Sequence, residues 1–174
     1  MLSDDEFAEF VETRGPALLR TACFLEGSRH DGEDLLQQSL VNAYASFRRI
    51  REPRALEAYV RTTMTRTSIS SRRKKWRSRE VSRDEVPDVH HDGDHDRIVD
   101  RSELWPLLDQ LSAHQRAVMV LRYYEGLSEA EIAQQLGCSQ GTVKSHASRA
   151  LDRLRTLMPQ EPNDQNGDVH ESRR

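Results

Sequence analysis

Apolar residues recur every three or four positions over most of this chain, which is the spacing of helices that bury one face. In the first half they predict a helix over residues 4–25 with a joint at Gly15-Pro16, ended by Gly27. A second helix is predicted from an Asp31 cap to about Arg51, and a third opens at Pro53. The inner face of the second helix includes Leu35, Leu36, Leu40, Tyr44, Phe47 and Ile50. That of the third includes Leu56, Tyr59, Val60, Met64 and Thr67. No strand-like alternation appears in residues 1–77.

The second half carries stronger local signals for helix boundaries. Ser112 with Gln115 and Ser128 with Glu131 have the spacing of capping boxes, in which the two side chains bind each other's backbone N–H groups. Gly126 and Gly137 suit helix ends, and Ser139 caps the last helix. Only residues 137–139 separate the last two helices, which is typical of a helix-turn-helix. The fold class is therefore all-α.

The outer face of the last helix is polar and cationic. Its amide, hydroxyl and guanidinium groups are those that contact base edges and phosphates in DNA. Its members are Gln140, Thr142, Lys144, Ser145, His146, Ser148, Arg149 and Arg153. The alternative is an ordinary solvated helix of an αα-hairpin. The caps, the short turn and the small Ala133 between the helices favour DNA binding.

Charge is unevenly distributed, although the net charge is only -3. Residues 61–83 contain nine Lys or Arg and one acid, whereas residues 84–100 contain seven acids and one Arg. From about residue 77 to 99 apolar residues nearly vanish, which predicts a flexible acidic linker between two small helical domains. The tail after Met158 is predicted to be disordered.

Composition excludes several other classes. No apolar run approaches the roughly 20 residues that span a bilayer, and the acidic start is no signal peptide, so we expect a cytoplasmic protein without membrane insertion. The isolated Cys23 and Cys138 predict buried free thiols. A metal-site interpretation rests on His90, His91, Asp92, Asp94, His95 and Asp96. No rigid scaffold fixes their geometry, so we expect no metal and no cofactor.

These motifs, in this order and spacing, carry a family resemblance over about residues 5–157. GEDLLQQSLVNAYASF in the first unit and LSEAEIAQQLGCSQGTVKSHASRALDRLR in the second resemble an extracytoplasmic-function (group 4) sigma-70 factor, and the opening GPALLRTACFLEGSRHDGEDLLQ resembles the actinobacterial members. The resemblance implies sigma region 2 over residues 1–77, a linker over 78–100 and sigma region 4 over 101–158, before a tail at 159–174. It implies a non-enzymatic promoter-specificity subunit that works with core RNA polymerase and promoter DNA.

The resemblance also implies roles for individual residues. Core polymerase would be contacted by the second helix, at Asp34, Leu35, Gln37 and Gln38, although Leu35 also suits the core. Melted minus-10 DNA would be held by a cationic groove with one stacking surface, formed by Arg61, Arg66, Arg72, Arg73, Lys74, Lys75 and Trp76. Duplex minus-35 DNA would be read by Gln140, Thr142, Lys144, Ser145, His146 and Arg149.

This chain departs from the family where minus-10 bases are captured. Many members have an Asn followed by aromatic residues where this sequence has Arg66, Ser68 and Ser71, so that loop is not carried over. An anti-sigma factor is a further partner that the resemblance implies. Whether the two units pack together in the free chain stays open.

Two other functions compete with this interpretation. A LuxR-type regulator shares the TVKSH segment, but it would carry a ligand-binding or phosphoacceptor domain upstream, and the first half lacks the strand-helix alternation that a receiver domain requires. An enzyme acting on nucleic acid is the second alternative. No Gly-rich phosphate loop and no nucleophile-base set is visible for it.

Overall fold

Local capping decides where most helices of this protein begin. A computed structural model describes residues 3–46, 50, 52–81 and 104–158. The helices within these ranges are α1 (Asp4–Glu26), α2 (Arg29–Ser46), α3 (Pro53–Val81), α4 (Leu104–Asp109), α5 (Ala113–Met119), α6 (Glu129–Leu136) and α7 (Gln140–Leu157). A π-helical turn, Val120–Tyr124, continues α5. The described residues contain no strand, and the all-α prediction is confirmed.

The predicted caps of the second half are confirmed. Ser112 and Ser128 each form a reciprocal capping box, and the Ser139 side chain accepts from the N–H of Thr142. Gly126 and Gly137 adopt positive φ angles of 70° and 68°, which glycine takes at little cost. The turn between α6 and α7 is therefore as short as predicted.

Three boundary predictions in the first half are corrected. The helix α1 runs through Gly15-Pro16, because Leu18, Ala22 and other apolar side chains anchor it beyond the exposed proline. Ser28, and not Asp31, caps α2, since its side chain accepts from the Asp31 N–H at 3.1 Å. The helix α3 continues to Val81, well past the point near Ile69 where the apolar stripe fades.

Other predictions for these stretches lie outside the described residues. They concern the end of α2 after Ser46, most of the 78–100 linker, with its His and Asp cluster, and the tail after Met158. The side chains of Trp76 and Arg77 also lie outside the description.

The core of the first unit forms where α1, α2 and α3 meet. Leu56, Val60 and Met64 on α3 are fully buried, as the stripe predicted, whereas Tyr44 and Tyr59 remain partly exposed. Gly32 of α2 lies directly on Cys23 of α1: a Cβ atom at Gly32 would come within 2.9 Å of the Cys23 backbone. Cys23 and Cys138 are only partly buried, and not fully buried as predicted.

The two units pack against each other. One continuous apolar cluster joins Phe24 and Leu25 of α1 to Leu108, Leu111 and Val120 of the second unit. Phe24 stacks on Trp105 with ring centroids 5.2 Å apart, and it also contacts Tyr124 at 4.5 Å. A separate cluster, centred on Val118, Ile132 and Val143, holds the helix-turn-helix together.

Candidate nucleic-acid interface

The face of α7 that was predicted to read duplex DNA lies largely in solvent. Gln140, Thr142, Lys144 and Arg149 are exposed, and Ser145 and His146 are half-buried. Val143, Ala147 and Ala150 turn inward, which leaves the polar residues on the opposite side. The free N–H groups and positive dipole end of this capped helix favour an anionic ligand.

His146 is partly covered by His114, a residue that the sequence did not single out. Their imidazole rings stack with centroids 5.3 Å apart and planes inclined by 12°. Burial, together with the nearby Arg73 guanidinium, lowers the pKa of His114. Burial, with His114 and Arg149 nearby, lowers the pKa of His146. The stack therefore favours two neutral rings.

Arg73, Lys74 and Lys75 of α3 are exposed cations. They lie on consecutive positions of one helix and face different directions around its axis. The charge of Arg73 helps to lower the pKa of His114, since α3 packs against α5 of the second unit.

Arg61, from the same predicted set, is instead held by carboxylates. Its Nη2 donates to Glu57 at 2.8 Å, and its Nε lies 2.9 Å from Oε2 of Glu125 in the second unit. Only 16% of its side chain is exposed. Arg61 cannot reach a DNA phosphate in this arrangement.

Arg66 and Arg72 are held by backbone carbonyls. The Nε of Arg66 donates to the carbonyl of Gln135 in the last turn of α6 at 3.0 Å. Arg72 donates to the carbonyls of Leu25 and Glu26 at the end of α1, and to Asp109 at 3.3 Å. Carbonyls in the last turn of a helix lack partners within the helix and carry its negative dipole end, so they attract cations.

Arg116 completes the set of cations at the end of α1, and the sequence analysis missed it. Its side chain is 1% exposed, and its Nη1 forms an ion pair with Asp109 at 2.5 Å. Its Nε donates to the carbonyl of Phe24 at 2.7 Å. Burial lowers the pKa of Arg116 to about 10, so it stays charged near neutral pH. Its helical spacing from Ala113 and Val120, which point inward, was the available sequence signal.

The face of α2 that was predicted to bind polymerase is mostly exposed. Asp34, Gln37 and Gln38 lie in solvent, whereas Leu35 is buried and is withdrawn from this set. Val41, which is 64% exposed, lies at helical spacing from these polar residues and was missed. An exposed apolar side chain beside polar ones is common at protein interfaces.

Two further site predictions can be compared with the described residues. No cluster of three metal-binding side chains is found in ranges 3–46, 52–81 and 104–158. No helix within those ranges has the length and apolar character of a bilayer-spanning segment.

Comparison with known proteins assigns both halves of the chain. Residues 10–78 match the family described as Sigma-70 region 2, and residues 101–154 match Sigma-70, region 4. The match over the first half does not fit a LuxR-type regulator, which would carry a different upstream domain.

Individual relatives agree with these matches. The chain is 42% identical over 153 residues to the RNA polymerase sigma-E factor of Streptomyces avermitilis, covering 86% of this chain and 83% of the relative. It is 34% identical over 146 residues to the ECF RNA polymerase sigma factor SigL of Mycobacterium tuberculosis, covering 81% and 82%.

A solved structure extends the likeness to the fold. The sigma factor RpoE from Bartonella quintana, in complex with the anti-sigma factor NepR, matches with a TM-score of 0.67 and 29% identity, covering 87% of this chain and 96% of that one. The chain therefore belongs to the sigma-70 family, among the extracytoplasmic-function sigma factors that direct RNA polymerase to promoters.

Proposed function

We propose that each functional step of this sigma factor is carried by one helix: α2 binds core polymerase, α3 holds the melted minus-10 strand, and α7 reads the minus-35 duplex. The observation that carries this proposal is the exposed polar face of the capped α7 in a chain that matches both sigma regions.

The polymerase-binding face of α2 consists of Asp34, Gln37, Gln38 and Val41. These residues are spaced by three or four positions, so they share one side of the helix. The face combines a carboxylate and two amides with one apolar side chain, and it lies opposite the buried Leu35 and Leu36. The partner is core RNA polymerase.

The minus-10 strand is held by the cations of α3. Arg73, Lys74 and Lys75 are available on the surface, and Arg66 is exposed although its Nε donates to Gln135. Arg61 and Arg72 require release from their present partners. Trp76 follows this basic run and supplies a flat surface on which an unstacked base can rest. The energy of these contacts offsets part of the cost of opening the duplex, and the bond-making chemistry belongs to the polymerase.

In α7, Gln140, Thr142, Lys144, Ser145, His146 and Arg149 read or position the minus-35 element. Arginine and lysine can donate to guanine, and amides to adenine, along the major groove. Lys144 is 65% exposed and lies 3.6 Å from the partly buried Glu129, so its ammonium can exchange that partner for a phosphate. Because the named relatives are RNA polymerase sigma factors, we place this activity in the cytoplasm.

An anti-sigma factor is a further partner in this proposal. The Bartonella quintana relative is a sigma factor in complex with such a protein. A partner of this kind would regulate the present chain by covering its polymerase-binding surfaces.

Runoff transcription tests the function directly. Purified core polymerase is supplied with this chain and a library of promoter fragments, and initiation at defined sites is expected only with the chain present. A double variant, Gln37→Ala with Gln38→Ala, should lose initiation while retaining the helical circular dichroism spectrum. Initiation that does not depend on the chain would refute the proposal.

A further inference from the structure

His146 lies in the middle of the DNA-reading face of α7. Thr142, His146 and Arg149 follow one another at steps of four and three positions, so they form one row along the helix. Thr142 and Arg149 are exposed, whereas His146 is half-buried. The next residue, Ala147, packs into the core of the helix-turn-helix. The imidazole of His146 therefore lies at the boundary between that core and the surface that meets DNA.

The surface on which His146 rests is the ring of His114, in the first turn of α5. The two ring planes are inclined by only 12°, with centroids 5.3 Å apart, which is an ordinary distance for stacked aromatic rings. His114 is itself half-buried. The capping box of Ser112 and Gln115 fixes the helical turn that carries it. His146 is therefore held against an ordered surface.

The stack forms within one unit of the chain, because α5 and α7 pack against each other in the second unit. The first unit contributes Arg73 of α3, whose charge helps to lower the pKa of His114. The contact between the two rings does not need α3. It can therefore remain in place while the second unit binds minus-35 DNA.

Neutral rings suit both this contact and a role for His146 in DNA reading. Burial lowers the pKa of both imidazoles, so the two rings do not repel each other near neutral pH. A neutral imidazole presents one donor and one acceptor nitrogen, whereas a protonated one presents two donors. Stacking fixes the plane of the ring and thus the directions of its nitrogens. A ring that is already oriented loses less entropy on binding than one that rotates freely.

We propose that His114 is a positioning residue for minus-35 recognition, which holds the imidazole of His146 in the orientation that meets DNA. The inference rests on the proposed role of α7. His114 acts through His146 and makes no contact of its own with DNA. Without it the ring of His146 rotates freely, and binding must order that ring again. We expect this to cost about three- to tenfold in affinity.

Binding of the polymerase holoenzyme to duplex DNA tests the proposal. The probes are a fluorescein-labelled promoter fragment on which the chain initiates in the runoff assay, and the same fragment with its minus-35 segment scrambled. His114→Ala should weaken binding to the promoter fragment by the expected factor and change binding to the scrambled fragment little. His114→Phe keeps a flat ring and should retain most of the affinity. Gln110→Ala, which truncates an exposed polar side chain before α5, is the control and should match the wild type.

A double-mutant cycle with His146→Ala separates positioning from other roles of His114. If His114 acts through His146, His114→Ala has no further effect once the ring of His146 is absent. A loss of the same size in that background would overturn the proposal, because it would assign His114 a direct DNA contact or a general structural role. Equal losses in His114→Ala and His114→Phe would also overturn it. Circular dichroism verifies that the variants remain helical.

The wild-type holoenzyme separates this inference from the proposed function. If it binds the promoter fragment and the scrambled fragment equally, α7 does not read the minus-35 element, and the proposed function and the inference both fail. If it prefers the promoter fragment and His114→Ala binds as tightly as the wild type, the inference alone is refuted.

Discussion

Arg116 and Phe24 lie 92 positions apart in the sequence and are joined by a hydrogen bond of 2.7 Å from the arginine Nε to the phenylalanine carbonyl. The donor comes from α5 and the acceptor from the last turn of α1. Arg116→Leu should therefore lower the free energy of unfolding by about 1 to 3 kcal/mol, because it orphans the Phe24 carbonyl. Urea denaturation followed by circular dichroism measures the change.

Arg155→Leu is the control for this prediction. Arg155 pairs with Asp152 on the surface of α7 and is 74% exposed. Exposed pairs of this kind contribute between about 0 and 1 kcal/mol. Similar losses in the two variants would show that Arg116 has no special structural role.

The contact between Gly32 and Cys23 predicts an unusual effect of alanine within a helix. A Cβ atom at Gly32 would lie 2.8 Å from the Cys23 Sγ and 2.9 Å from its backbone, so α1 and α2 must separate. Gly32→Ala should destabilise the protein by about 1 to 3 kcal/mol despite the better helix propensity of alanine. The midpoint of urea unfolding reports this loss.

Gly141→Ala is expected to have the opposite effect on the stability of the protein. An added Cβ there would meet only the Ser139 hydroxyl at 3.7 Å, an ordinary contact distance. Stability should change by less than about 1 kcal/mol and in the favourable direction. If both alanine variants were stabilised, the close approach at Gly32 would be wrong.

Arg149 is exposed on the DNA-reading face of α7 and is expected to contact a base. Arg149→Ala should weaken binding of the polymerase holoenzyme to the minus-35 element by about 1 to 3 kcal/mol. Electrophoretic mobility shifts on an intact promoter measure this change. Arg155→Ala, farther along the same helix, should leave binding nearly unchanged, and unaltered binding of the Arg149 variant would remove this residue from the site.

The His114–His146 stack predicts a pH dependence of stability. Burial lowers both pKa values below their unfolded value near 6.5, so the folded chain binds fewer protons than the unfolded chain. The stabilising contribution is complete above pH 6.5 and is lost as the pH falls through the lowered pKa values. Thermal unfolding between pH 7.5 and 5.5 should show a falling midpoint.

Replacing both rings by glutamine, His114→Gln with His146→Gln, should flatten this dependence. The exposed His30, whose side chain is 83% accessible, provides the control variant His30→Gln. A pH profile that is unchanged in the double variant would exclude the stack as its source.

The sequence was informative wherever a boundary depends on a few neighbouring residues. Three helix starts could be predicted from Ser112, Ser128 and Ser139, because a cap and the N–H group that it binds lie within three positions. The buried stripe of α3 was equally clear. Asp31 was predicted as the cap in place of Ser28, because serine and aspartate are both common N-cap residues and the two lie only three positions apart.

The long-range part of the site could not be predicted from local patterns. Arg61 pairs with Glu57, four positions back, but its other partner and the side-chain or carbonyl partners of Arg66 and Arg72 in the second unit lie 37 to 69 positions away. The π-helical turn also has no distinct apolar period. The contact of Glu125 with Arg61 depends on this turn and on the packing of the two units, so it could not be predicted from the sequence.

Three reciprocal capping boxes, at Ser3, Ser112 and Ser128, bear on how the protein is made. Each box forms within four residues, so a nascent chain can define these helix starts soon after they leave the ribosome. The contacts of Arg116 and Glu125 must wait until both halves have emerged. We therefore expect refolding to be limited by docking of the halves, since helix formation takes only about a microsecond.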